Sequence, residues 1–67
     1  MSEYIAAYCG QRVRVRFDYG EVMAGRVTRQ GSTYVLRRGR GDWSALLSMQ
    51  DRVIAVRRRG HRFVSVP

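Results

Sequence analysis

The sequence predicts an all-β fold, a small antiparallel barrel preceded by a short helix. Three observations carry this expectation. Valine and arginine alternate with a period of two through Arg12–Phe17, the pattern of a strand with one face buried and one in water. Further β-rich runs follow at about ten-residue spacing, punctuated by turn residues such as Asp18-Tyr19-Gly20 and Gln30-Gly31-Ser32. The chain has 67 residues, so a single sheet must curl on itself to enclose a core.

The elements follow in order. Ser2 is an N-cap with Glu3 in the first turn, and Tyr4, Ile5 and Tyr8 share a face, so residues 2–9 read as a helix stopped by Gly10. Arg12–Phe17 is the first strand, with Val13, Val15 and Phe17 inward and Arg12, Arg14 and Arg16 outward. Glu21–Arg29 is the second, with Met23, Gly25 and Val27 on one face, and Thr33–Arg37 is the third. A basic glycine loop, Arg38–Asp42, leads to strands at Trp43–Met49 and Arg52–Arg57. A second basic loop, Arg58–Arg62, precedes Phe63–Val66, a short sixth strand or an ordered tail. Five principal strands within about 55 residues favour an SH3-like over an OB-like barrel, whose strands and loops run longer.

Length and composition predict one domain over residues 1–67. No uncharged stretch exceeds eight residues, Trp43–Gln50 being one, against the ~20 that a membrane span needs. Glu3 stands where a secretory signal carries basic residues, and Ile5–Tyr8 is too short for its apolar core. The lone Cys9 makes no internal disulfide and fits a reducing cytoplasm; it is expected to be a small core residue. Cys9 and the single histidine, His61, do not complete a metal site, and no phosphate loop or dinucleotide fingerprint is present, so no cofactor is expected. Catalysis finds no support either. Asp18 and Glu21 flank one turn, as a pair that binds a cation or, lacking a third ligand, one that solvates the turn; Asp42 and Asp51 are expected to pair with arginines; and His61 lies among four arginines with no partner for acid–base work.

Charge is the dominant signal. Thirteen basic residues oppose five acidic ones, for a net charge of +8 and an isoelectric point near 11.3. Every one of the thirteen is arginine. Its planar donor fork matches phosphate oxygens and stacks on bases, whereas solubility alone is served equally by lysine. A GC-rich genome also raises arginine content; a polyanionic partner accounts for both the type and the clustering.

The segment Val13-x-Val15-x-Phe17-x-x-Gly20-x-x-Met23-x-Gly25-x-Val27, continued by Tyr34 and Leu36, resembles the first motif of the Sm and LSm proteins and of the bacterial Hfq-like RNA chaperones. The resemblance covers about forty residues and includes the preceding helix. It departs from the family at Gly31, where an aspartate is usual. It departs again in the second motif, where Leu46, Leu47, Ser48, Met49, Asp51 and Val53 keep the alternation with one residue too many. The ending, Leu47–Val56 with Phe63-Val64-Ser65-Val66, is also similar to small Sm-like antiterminators that bind the Rho helicase, which are acidic. The resemblance implies a five-stranded, strongly bent antiparallel sheet. It also implies a homo-oligomeric ring in which the Trp43–Met49 edge of one copy pairs with the Arg52–Arg57 edge of the next.

The residues expected to contact nucleic acid form three groups. Arg12, Arg14 and Arg16 stand at ~7 Å alternate spacing, close to the phosphate spacing of a strand, though a solvated barrel face has the same pattern. Arg37, Arg38 and Arg40 lie with Gly39 and Gly41, which let backbone approach phosphate. Arg57, Arg58, Arg59 and Arg62 form the densest cluster. Gln30 and Ser32 occupy the turn that faces RNA in an Sm-like ring, or make a plain polar turn. Trp43 and Tyr19 offer stacking platforms, with sealing of a barrel end or subunit contact the alternative for Trp43. The function expected is RNA binding by an oligomeric barrel, with RNA preferred over DNA and no membrane partner. The alternatives are an architectural double-stranded DNA binder and a module that docks on an acidic protein partner.

Overall fold

Alternation decides which side of each strand is buried, and the computed structural model, which describes residues 5–39, 44–48 and 50–66, bears this out from the first strand. Six strands form one antiparallel sheet: β1 (Arg12–Arg16), β2 (Val22–Gln30), β3 (Thr33–Arg37), β4 (Ser44–Leu46), β5 (Arg52–Arg58) and β6 (Arg62–Ser65). Their order across the sheet is β4-β3-β2-β1-β5-β6. The sheet curls into a half-barrel around Val13, Val15, Phe17, Val27, Leu36, Leu47, Val53 and Val56, with Ile5 closing the cluster. Each fully buried valine or leucine contributes about 1.5–3 kcal/mol relative to exposure. Tyr8, Met23 and Tyr34 pack at its margin.

Turn chemistry sets the pairing. Gly20, at φ 100°, lets the chain reverse between β1 and β2, and its N–H donates to the Phe17 carbonyl. This places Arg12 opposite Arg26 and Val15 opposite Met23. Gly31 takes φ 62° at the first central position of a two-residue turn, where a primed hairpin turn requires it. Arg26 thereby faces Arg37, and Val27 faces Leu36. A bulge on β5 at Ile54 shifts the β1–β5 register, from Val15–Val53 to Arg14–Ala55.

Gly25 is required for a different reason. A Cβ there would lie 2.7 Å from the Arg37 carbonyl oxygen and 2.9 Å from Leu36 Cγ. The backbone of β2 therefore presses against β3 at this point, and only a residue without a side chain fits.

Several expectations are corrected. The sheet has six strands rather than five, because Arg62–Ser65 pairs fully with β5. Of the expected helix, residues 1–4 lie outside the described residues; Ile5 and Ala6 are helical, and Ala7–Gly10 form turns. The i→i+3 bonds from Tyr8 N–H to Ile5 and from Cys9 N–H to Ala6 end when Gly10, at φ 84°, donates to the Val27 carbonyl and steers the chain into the sheet. The fourth strand is Ser44–Leu46, shorter than Trp43–Met49, whose terminal residues lie outside the described ones. Cys9 is exposed, not in the core, because it sits in this terminal turn. The Arg52–Arg57 segment is not an edge, since β5 is hydrogen-bonded to β1 on one side and β6 on the other. Among the described residues Asp51 pairs with no arginine, and Asp42 lies outside them. The buried Asp51 carboxylate accepts the Ser48 N–H at 2.8 Å and the Asp18 N–H at 3.1 Å, tying the two turns together.

Candidate nucleic-acid interface

The same alternation that buries Val13, Val15 and Val27 on one side of the sheet sends Arg12, Arg14, Arg16, Arg26 and Arg37 to the other. Twelve of the thirteen arginines are described; ten are exposed, and Arg12 and Arg57 are half-buried. Asp51 spends both oxygens on backbone N–H groups, so among the described residues it makes no direct ion pair with an arginine.

Register brings the arginines together across strands. Arg12 on β1 faces Arg26 on β2, which faces Arg37 on β3. Arg16 faces Arg52, and Arg58 faces Arg62. Directly opposed residues hold their Cβ atoms about 4.5–5.5 Å apart, and like charges so placed cost on the order of 0.2–1 kcal/mol per pair before screening. Among the described residues, four cross-strand pairs thus set arginine against arginine. The Arg12–Arg26–Arg37 row borders a surface groove of about 310 Å³, lined also by Thr28 and Gly39. Arg26 is oriented by a 2.8 Å hydrogen bond from its Nη1 to the Gly10 carbonyl.

The expected site residues divide accordingly. Arg12 and Arg37 join the row, while Arg38 is exposed one residue beyond it and Arg40 and Trp43 lie outside the described residues. Arg14 does not stand free in solvent: its guanidinium lies 4.3 Å from the centroid of the Phe63 ring, a cation–π contact on the outer face that links β1 to β6 across β5. Arg58, Arg59 and Arg62 gather at the β5–β6 turn, where Gly60 and His61 take φ 83° and 63°, and Arg57 is half-buried at its start. Gln30 and Ser32 are exposed at the β2–β3 tip, four residues along β2 from Arg26 and so apart from the row. Tyr19 is 69% exposed and stacks on the buried Phe17, with centroids 5.5 Å apart and planes 8° from parallel.

Sequence reasoning missed Arg26, Thr28 and Arg52. The signal was present: a turn centred on Tyr19 pairs positions equidistant from it, which are Arg12 with Arg26. Among the described residues no group of histidine, cysteine and carboxylates is arranged to hold a metal ion, and no helix is long and apolar enough to cross a membrane. Compared with known proteins, the chain matches no family model, no curated protein and no solved structure.

Proposed function

We propose that the protein binds nucleic acid, with single-stranded RNA preferred, by laying the phosphate backbone across the arginine-bearing outer face of the sheet. The observation that carries this reading is the opposition of arginines in three cross-strand pairs on that face, Arg12–Arg26, Arg26–Arg37 and Arg16–Arg52. Composition alone explains many arginines; it does not explain a register that sets them against one another at a cost in stability. A polyanion offsets that repulsion on binding. Tyr19, supported from below by Phe17, offers a face for one base, worth about 1–3 kcal/mol where stacking forms. The RNA preference follows the resemblance of Val13–Leu36 to the first Sm motif, and the curled antiparallel sheet with Gly25 pressed against β3 is consistent with it.

The test is fluorescence anisotropy with a labelled single-stranded RNA, the matching DNA duplex and an acidic polypeptide, each over a salt series. Binding to RNA that weakens linearly in log–log salt supports the reading. Tighter binding of the duplex moves it to architectural DNA binding, and retention of the polypeptide alone replaces it with docking on an acidic protein. Self-association through the two open edges, β4 and β6, is the form of homo-oligomer proposed, in place of a fourth-to-fifth strand pairing.

A further inference from the structure

We propose that Arg12, Arg26 and Arg37, with Thr28 beside them, form a seat for a single phosphoryl group on the outer face of the sheet. The proposal rests on the nucleic-acid reading only for the source of that group. Three neighbouring strands each contribute one arginine at the same level, and all three border a single groove. The groove they border, about 310 Å³, admits a tetrahedral oxyanion together with the sugar that carries it.

Two atoms in its wall are unsatisfied. Arg12 Nε and Thr28 Oγ1 are removed from solvent and have no hydrogen-bond partner, the condition that calls for a ligand or water in a native protein. Water answers the missing hydrogen bonds and leaves three positive charges facing one another. An oxyanion answers both, because its oxygens accept from a guanidinium fork and from a hydroxyl while its charge offsets the row. Among the described residues no carboxylate lines it.

The probe is inorganic phosphate, titrated at ionic strength held constant with sodium chloride and followed through the Arg12 Nε–Hε resonance in nitrogen-15 NMR. A saturable shift of that resonance is expected. Thr28→Val should weaken the apparent affinity by about three- to tenfold, the equivalent of one hydrogen bond. Arg37→Gln should weaken it too while raising the melting midpoint of the free protein, an opposite pair of signs that simple unfolding cannot produce. Arg59→Gln removes the same charge at the β5–β6 turn and should leave the shift intact. No saturable shift, or an equal loss in Arg59→Gln, overturns the seat in favour of diffuse attraction. Octamer RNAs with a 5′-phosphate or a 5′-hydroxyl then separate the sources: preference for the former assigns a terminal monoester, equal affinity an internal phosphodiester. Phosphate binding without RNA binding retains the seat and removes the proposed function. RNA binding that leaves the Arg12 resonance unmoved does the reverse.

Discussion

Gly25 and Asp51 are single residues on which distant parts of the chain depend, and each gives a measurable consequence. Gly25→Ala forces a methyl group to within 2.7 Å of the Arg37 carbonyl oxygen, so β2 and β3 must separate. The expected loss is about 1–3 kcal/mol in urea denaturation. Gly20→Ala is the contrasting case: no atom lies within 4 Å, and the cost of about 1–2 kcal/mol comes from φ 100° alone. Asp51→Asn leaves one acceptor where two N–H groups now converge, and should cost about 1.5–3 kcal/mol, read by the same denaturation. The sequence reveals the valines at 13, 15 and 27 as core because their period is unambiguous. It does not reveal Asp51's role, since a carboxylate among arginines looks like half of an ion pair until the fold brings Asp18 N–H to it.

Elements were legible where turn chemistry was local. Thr33–Arg37 agrees with the predicted third strand residue for residue, and β1 and β2 differ from expectation by one residue at their ends, because glycine turns bound them. The sixth strand was ambiguous, because Phe63-Val64-Ser65-Val66 has strand-forming residues but no cue to a partner. Its partner is β5, held by the ladder from Arg58–Arg62 to Ala55–Ser65 and by Phe63 under Arg14. Among the described residues the sheet then has two open margins, β4 and β6, carrying Leu46 at 68% and Val64 at 49% exposure. Five antiparallel steps separate these margins, so they run in opposite directions and an antiparallel join of β4 to β6 continues the sheet from copy to copy. If copies associate this way, Leu46→Lys and Val64→Lys should each lower the solution mass measured by light scattering, edge lysines being the common natural guard against such pairing. A mass unchanged by both would remove the edge-to-edge assembly.

For the whole molecule, size limits how much of the charge one strand can meet. The longest dimension is 31 Å, about five positions at the ~7 Å repeat of alternate strand residues. A single RNA strand bound as proposed would meet about five arginine positions with its phosphates, and the expected slope of log affinity against log salt is then about −3.5. A slope near zero would contradict backbone binding. Replacing Arg37 by Gln should flatten the slope by about one unit or less. Net charge was visible at once in the sequence; its arrangement was not, because the row of Arg12, Arg26 and Arg37 exists only once two hairpins have fixed their registers. The two-residue reversal at Gly31–Ser32 is accordingly the molecule's gearing. Lengthen it by one residue without a compensating bulge and Arg37 rotates into the apolar interior while Leu36 turns out to water, so an exposed turn outside the core tolerates an insertion poorly.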